Sequence, residues 1–132
     1  MPDWVIGKVT AALNERRKSV NGSRILVLGV AYKKNVDDSR ETPSAELIRL
    51  LQDKGAVVDY SDPHVPVFPL KRKYKFDMRS VELTRDVLSD YDCVIVATDH
   101  DAFDYDLIQK AAGLIVDTRG VYREAAANVV KA

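Results

Sequence analysis

The chain has 132 residues, 46% of them hydrophobic and 30% charged, and its 20 Lys and Arg residues balance 20 Asp and Glu residues. This length supports a single core, and the zero net charge argues against a general binder of nucleic acid or of anionic membranes. The lone Cys93 excludes an internal disulfide, and no Cys and His residues have the spacing of metal ligands. The apolar runs are far shorter than the ~20 residues of a membrane-spanning helix, and no signal peptide is recognisable. We therefore expect a soluble, cytoplasmic protein.

Segments in the first half of the chain have the hydrophobic patterns of alternating helices and strands. Apolar side chains recur at helical spacing in 3–19, whereas 25–32 is a continuous apolar run, typical of a strand covered on both faces in a parallel sheet. A second helix is predicted to begin at Pro43, because proline suits the first helical position, and to end before Gly55. A short second strand is predicted at 56–60.

The second half continues this alternation after an irregular excursion. Residues 64–79 carry prolines and a basic run, and we interpret them as an inserted loop. The alanine-rich segment that begins at Ala125 is expected to be a frayed helix. Together the patterns predict an α/β fold: a Rossmann-like, doubly wound parallel sheet with flanking helices in three α/β/α layers. In chain order, the remaining predicted helices and strands are helix 81–90, strand 92–98, helix 105–112 and strand 114–118.

The ends of the predicted strands carry the candidate binding residues. Open parallel sheets bind their ligands beyond the carboxyl ends of the strands. Lys33 follows the first strand and Arg119 follows the fourth, which places two cations at the same edge of the sheet. Cations near helix N-termini favour a phosphate or carboxylate ligand. The pattern indicates an anion-binding crevice, while a solvated or ion-paired role for each side chain stays open.

Three residues invite functional interpretations that their surroundings do not favour. The glycine fingerprint of dinucleotide-binding folds fails after Gly29, because Ala31 and Lys34 stand where further glycines are required. Cys93 lies in an apolar strand, where burial makes a thiol a poor nucleophile. No nucleophile precedes His100 at a recognisable spacing, so we interpret it as a loop histidine.

Other charged residues also have simple structural interpretations. Asp59 or Asp62 could contact a ribose, but Asp62 before Pro63 is typical of a turn. Arg40 lies among acidic residues and fits a local charge network. The basic run at 71–75 is a weak candidate for nucleic-acid contact, and a solvated loop is the simpler interpretation.

Four separated motifs nevertheless stand out in chain order: Gly-Val-Ala-Tyr-Lys-Lys-Asn-Val-Asp-Asp-Ser-Arg-Glu-Thr-Pro (29–43), Tyr-Ser-Asp-Pro-His-Val-Pro (60–66), Ala-Thr-Asp-His-Asp-Ala-Phe-Asp (97–104) and Val-Asp-Thr-Arg (116–119). In this order they resemble the C-terminal, UDP-binding domain of the UDP-glucose/GDP-mannose dehydrogenase family. The resemblance covers about residues 22–122. The first and third motifs look most like the branch that acts on UDP-N-acetylhexosamines such as UDP-N-acetylglucosamine.

The resemblance implies part of an enzyme that uses NAD to oxidise the C6 alcohol of a UDP-sugar to a carboxylate. Members of the family have an N-terminal Rossmann domain for NAD, a central helical domain with the catalytic cysteine, and a C-terminal domain that covers the UDP-sugar. Residues 1–20 then correspond to the end of the helix that links to the central domain, and 21–132 to the UDP-sugar-binding domain. Cys93 does not inherit the catalytic role, so the chain alone is expected to be inactive.

The same resemblance implies roles for individual residues. Tyr32, Lys33 and Arg119 match positions that contact the nucleotide-sugar, and Arg40 matches an arginine that approaches NAD. No catalytic residue and no metal ligand is carried over. The implied partner is a UDP-sugar, with no nucleic acid or membrane, in a full-length homodimer. A stand-alone nucleotide-binding module of the same fold, or an interaction module that uses the basic run, remains the alternative.

Overall fold

Five strands form the sheet that the structure describes. A computed structural model describes residues 2–30, 43–66, 78–124 and 126–132. The strands are β1 (Arg24–Leu28), β2 (Val57–Ser61), β3 (Cys93–Val96), β4 (Ile115–Asp117) and β5 (Val129–Lys131). Their order across the sheet is β2-β1-β3-β4-β5, and all neighbouring strands run parallel. The doubly wound parallel sheet is therefore confirmed.

Helices cover both faces of this sheet. Within the described ranges they are α1 (Pro2–Glu15), α2 (Pro43–Asp53), α3 (Arg85–Ser89) and α4 (Tyr105–Ala111). The apolar side chains of α1 and α2 share one core cluster, and those of α3 and α4 share the other. The three-layer α/β/α arrangement is thus confirmed.

From Ile25 onward, strand β1 is a continuous apolar run because its side chains are buried on both faces of the sheet. Ile25 and Val27 pack into the cluster on the α1 and α2 side, whereas Leu26 and Leu28 pack into the cluster on the α3 and α4 side. All four side chains have no exposed surface. Because successive side chains of a strand point to opposite faces, a strand covered on both faces must be apolar at every position.

Several elements are shorter than their patterns predict. Helix α1 ends at Glu15, before a turn in which Arg17 has a positive φ of 61°. Helix α3 begins only after Thr84, because the Thr84 hydroxyl caps it by accepting a hydrogen bond from the Val87 backbone N–H at 3.1 Å. The spacing of apolar residues does not reveal these local backbone features, so it predicted longer helices.

The inserted loop returns to the sheet at its β2 edge. Ser80 forms an isolated parallel bridge with Tyr60, and the Val81 backbone N–H donates to the Tyr60 carbonyl at 2.9 Å. The Tyr60 hydroxyl in turn donates to the Val65 carbonyl at 2.8 Å. The start and the end of the excursion are therefore fastened to the same strand, while 67–77, including the basic run, lie outside the described residues.

The prediction of a frayed helix after Glu124 is wrong. Strand β5 forms there and pairs with β4, and its Val129 and Val130 have the β-branched side chains that favour strands. The Asn128 amide precedes β5 and donates to the carbonyls of Gln109 and Ala112, at the end of α4. Ala125 itself lies outside the described residues.

Helix α1 contributes to the core through its predicted apolar stripe. Val9 and Leu13 have no exposed surface and pack with α2 residues in one cluster. Trp4 lies off this face and is 58% exposed, with the Lys8 ammonium 5.0 Å from the centre of its ring. Across the described residues, no helix combines the length and the hydropathy that a membrane span requires.

Asp92 joins the α1–β1 connection to β1 on the amino-terminal side of the sheet. Its carboxylate accepts hydrogen bonds from the Lys18 ammonium and from the Arg24 backbone N–H, both at 2.8 Å. The Lys18 hydrogen bond, and then that of Arg24, lower the pKa of Asp92. Because the folded pKa is below the unfolded one, the ionised carboxylate stabilises the fold above the unfolded pKa, and this contribution is lost as pH falls through the folded pKa.

We expect Asp92→Asn to lower the free energy of unfolding by about 1 kcal/mol at pH 7. The difference from the wild-type chain should begin to shrink below about pH 4, where the carboxyl of the unfolded chain becomes protonated, and should be lost once the folded carboxyl, with its lower pKa, is protonated as well. Thermal melts between pH 7 and pH 2 measure this, with the exposed Asp90→Asn as the control. A constant difference at every pH would contradict the ionic role of Asp92.

Candidate functional site

The carboxyl ends of the central strands meet at one edge of the sheet, which we term the carboxyl edge. Its residues follow four parallel strands: Gly29 and Val30 after β1, Asp62 after β2, Ala97 and Thr98 after β3, and Thr118 and Arg119 after β4. The chain leaves β1 towards β2 on one side, while β3 lies on the other side of β1. This reversal is the position at which open α/β sheets bind ligands.

Arg119 is held at this edge by its own side chain. The Nε–H donates to the Ala97 carbonyl at the end of β3, at 2.8 Å. The side chain is exposed, and its two Nη groups make no hydrogen bond within the part of the chain that the structure describes. A guanidinium fixed through Nε presents the planar, bidentate donors that suit phosphate oxygens.

The turn that carries Arg119 is built on the buried Asp117 carboxylate. One oxygen accepts the backbone N–H groups of Arg119 and Gly120 at 3.0 and 2.9 Å, and the other accepts the Tyr122 N–H at 2.9 Å. Asp117 is only 1% exposed. Three backbone N–H groups thus hydrogen-bond to this carboxylate and fix the turn. Because its oxygens already accept these hydrogen bonds, Asp117 does not compete with a ligand for the Arg119 guanidinium.

Thr98 fills the space beside Gly29. Gly29 has a φ of 89°, and a Cβ at this position would lie 2.4 Å from the Thr98 Cβ and 2.9 Å from the Thr98 backbone N and O. A dinucleotide cradle instead needs its glycines to face the pyrophosphate. The described residues after β1 therefore do not fit the phosphates of NAD, in agreement with the failed glycine fingerprint.

His100 lies in a loop and Asp62 in a turn, which confirms both predictions. Asp62 Oδ1 accepts the His64 backbone N–H at 2.8 Å, which is the expected turn contact. Their sequence patterns did not indicate that both side chains are buried, with exposures of 0% for His100 and 1% for Asp62. His100 Nε2 lies 2.9 Å from Asp62 Oδ2, and the same oxygen accepts the Val30 backbone N–H at 2.8 Å.

Two tyrosine side chains continue the hydrogen-bond network from the His100 backbone. The Tyr105 hydroxyl donates to the His100 carbonyl at 2.7 Å, and the Tyr122 hydroxyl donates to the Tyr105 carbonyl at 2.8 Å. Burial, together with the nearby Asp117 carboxylate, raises the pKa of both tyrosines. The hydroxyls therefore stay protonated at neutral pH and act as hydrogen-bond donors.

Two other sequence candidates are structural. Cys93 is fully buried at the start of β3, away from the carboxyl edge, and burial raises the pKa of its thiol to about 12. This confirms that it is not poised as a nucleophile. Asp59 accepts a hydrogen bond from the Tyr91 hydroxyl at 2.7 Å within the sheet. No group of three or more His, Cys, Asp or Glu residues in the described ranges is arranged to hold a metal ion.

Of the four site residues named from the sequence, the structure describes one. Arg119 lies at the carboxyl edge, as the strand pattern predicted. Tyr32, Lys33 and Arg40 fall outside the described residues. Val30, the last described residue before them, has its backbone N–H fixed by Asp62. The described part of the site can bind and orient an anion, and it contains no set of groups for covalent chemistry.

Comparison with known proteins points to one family. The sequence model of the UDP-glucose/GDP-mannose dehydrogenase family, UDP binding domain, matches residues 26–124. The chain is 35% identical over 103 residues to a UDP-N-acetyl-D-mannosamine dehydrogenase of Methanococcus maripaludis, a match that covers 78% of the chain and 22% of that protein. It is 28% identical over 138 residues to a UDP-glucose 6-dehydrogenase of Rhizobium meliloti, covering 89% of the chain and 30% of that protein.

The fold is also similar to a solved structure. The crystal structure of NDP-N-acetyl-D-galactosaminuronic acid dehydrogenase from Methanosarcina mazei Go1 superimposes with a TM-score of 0.75 at 26% identity. The superposition covers 99% of the chain and 28% of that protein. The chain therefore spans less than a third of the length of each of these three relatives.

Proposed function

Because the chain belongs to the UDP-glucose/GDP-mannose dehydrogenase family, we propose that it binds the UDP-sugar substrate of an NAD-dependent UDP-sugar 6-dehydrogenase. The observation that carries the proposal is Arg119, whose guanidinium is fixed at the carboxyl edge through Nε with both Nη groups directed to no described partner. A diphosphate presents the oxygens that such a group binds bidentately. The family match covers this residue and the strands that position it.

The diphosphate site we propose combines Arg119 with residues named by resemblance. Tyr32 and Lys33 follow β1 in the sequence, and β1 and β3 are neighbours in the sheet. Lys33 supplies a second cation, and Tyr32 supplies a hydroxyl and a ring for the nucleotide. Arg40 contacts NAD in the same proposal.

The chain supplies binding, and the oxidation needs groups that we place elsewhere in the full-length enzyme. When bound, NAD accepts the hydride removed from the sugar C6. The described residues do not form its phosphate cradle, since Thr98 fills the space at Gly29. The described residues likewise offer no activated thiol, because Cys93 is buried. We therefore propose that residues 1–20 lead from a central, dimer-forming domain, that 21–132 form the UDP-sugar-binding domain, and that the homodimeric enzyme is cytoplasmic.

The substrate we propose is a UDP-N-acetylhexosamine, such as UDP-N-acetylglucosamine. Support comes from Tyr-Lys-Lys-Asn-Val-Asp-Asp at 32–38 and Thr-Asp-His at 98–100, which resemble the branch of the family that acts on these sugars. The relative with 35% identity is named for another N-acetylated sugar. UDP-glucose is the competing substrate, because the relative with 28% identity is named as a UDP-glucose 6-dehydrogenase.

Calorimetric titration of the 132-residue chain tests this function. We expect UDP and UDP-N-acetylglucosamine to bind weakly, since the chain forms one wall of the cleft, and uridine to bind at least tenfold more weakly because it lacks the diphosphate. With NAD and a UDP-sugar, the chain alone should produce no NADH. Equal affinity for uridine and UDP, or NADH production that survives Cys93→Ser, would contradict the proposal.

A further inference from the structure

His100 connects two parts of the carboxyl edge without itself reaching the surface. Its fully buried imidazole lies against Asp62 Oδ2, and that oxygen also holds the Val30 backbone N–H. Asp62 Oδ1 holds the His64 N–H. One buried pair thus joins the chain segments that follow β1, β2 and β3. Val30 is two residues before Tyr32, so this contact fixes where the chain leaves β1.

A second series of hydrogen bonds runs from His100 to the turn that carries Arg119. The His100 carbonyl accepts from the Tyr105 hydroxyl, and the Tyr105 carbonyl accepts from the Tyr122 hydroxyl. The Tyr122 N–H donates to Asp117, whose other oxygen accepts the Arg119 N–H.

Ring contacts follow the same path. The His100 ring lies 5.5 Å from the Phe103 ring between centroids, Phe103 lies 6.0 Å from Tyr105, and Tyr105 lies 6.1 Å from Tyr122 at 89°. Such edge-on and tilted contacts pack the loop after β3 against the turn after β4. His100 follows Ala97, whose carbonyl accepts the Arg119 Nε–H, by three residues in the same segment after β3, so these contacts connect the loop to the Arg119 side chain.

Building on the proposed function, we propose that His100 is a positioning residue for nucleotide binding. It does not touch the ligand. Its imidazole holds Asp62 and through it the Val30 backbone, and its carbonyl holds Tyr105 and through it the Arg119 turn. Both ligand-facing parts of the edge thus connect to one buried residue, the Val30 part through the imidazole and the Arg119 turn through the backbone carbonyl and the ring contacts. Hydrogen bonds between such buried groups are electrostatically stronger than the same contacts in solvent.

Two substitutions separate positioning from simple stabilisation. His100→Leu removes the ring nitrogen that lies against Asp62, whereas His100→Gln retains an amide N–H at a similar reach. We expect His100→Leu to weaken UDP binding at least tenfold and to shift the NMR signals of the Val30 amide and the Arg119 Nε–H in the ligand-free chain. His100→Gln should recover most of the affinity and the wild-type positions of both signals.

The control is Tyr91→Phe, which removes a hydroxyl donated to Asp59 on the amino-terminal side of β3. It should lower stability while leaving the UDP Kd within twofold and both signals in place. If His100→Leu does not fold, Tyr105→Phe removes the hydroxyl donated to the His100 carbonyl, and we expect it to weaken UDP binding about threefold and to shift the Arg119 Nε–H.

The outcomes distinguish this proposal from the proposed function. If the wild-type chain does not bind UDP, the proposed function fails, and the ligand-free signals still decide the role of His100. If the folded His100→Leu variant, or Tyr105→Phe in its place, leaves the Arg119 Nε–H and the UDP Kd unchanged, the positioning role is wrong while UDP binding stands.

Discussion

Arg119→Ala is expected to weaken UDP binding by about ten- to a hundredfold with little change in stability. The guanidinium is exposed, so its loss leaves no cavity in the core. A charge-assisted hydrogen bond to a phosphate contributes about 1.5–3 kcal/mol, which corresponds to this range of affinity. Titration calorimetry with UDP, beside a thermal melt of each variant, measures both quantities.

Two further variants sharpen this prediction. Arg119→Lys keeps the charge but loses the planar donors and the Nε contact to Ala97, so its affinity should lie between those of the wild-type chain and Arg119→Ala. Arg123→Ala removes an equal charge from an exposed side chain nearby and should leave the Kd within twofold. Equal losses for Arg119→Ala and Arg123→Ala would show that only net charge matters.

Gly29→Ala is expected to lower the free energy of unfolding by about 2–5 kcal/mol, the largest stability effect of a single methyl group that we expect in this chain. The left-handed φ of 89° costs an L-residue about 1–2 kcal/mol. The added Cβ would also lie 2.4 Å from the Thr98 Cβ and 2.9 Å from Thr98 backbone atoms, and overpacking of this kind costs about 1–3 kcal/mol. Urea denaturation of the variant measures the sum.

Gly22→Ala is the matched control for Gly29→Ala. Gly22 has nearly the same φ, 85°, but a Cβ there would meet no atom within 4 Å. It therefore carries the backbone strain without the contact, and we expect a loss of about 1–2 kcal/mol. If the two variants lose equal stability, the contact with Thr98 adds nothing to the destabilisation by Gly29→Ala, and the prediction is wrong.

The elements that the sequence predicted well are those with long or doubly buried apolar patterns. Strand β3, and strand β1 after its exposed first residue Arg24, consist of side chains buried on both faces, so their residues alone exclude an exposed or amphipathic alternative. The position of Arg119 also followed from sequence, because the residue after a parallel strand must lie at the carboxyl edge. Strand β5 was missed because three partly exposed residues carry too weak a pattern.

The buried His100–Asp62 pair at the carboxyl edge could not be predicted from the sequence. Asp62 before Pro63 gives a complete local explanation as a turn, and the structure confirms that local contact. Its second partner, His100, is 38 residues away, so only the tertiary fold brings the two side chains together. The failed glycine fingerprint indicated that no dinucleotide cradle begins at Gly29, but the contact of Gly29 with Thr98 became visible only in the structure.

Mapping of UDP binding onto assigned amide signals of the wild-type chain tests the central claim most directly. If the carboxyl edge is the nucleotide site, the shifts on addition of UDP will cluster at Tyr32, Lys33 and the 117–120 turn, and will disappear in the double variant Lys33→Ala/Arg119→Ala. Shifts that cluster instead on the basic run 71–75 and persist in the double variant would contradict the assignment of UDP to this edge.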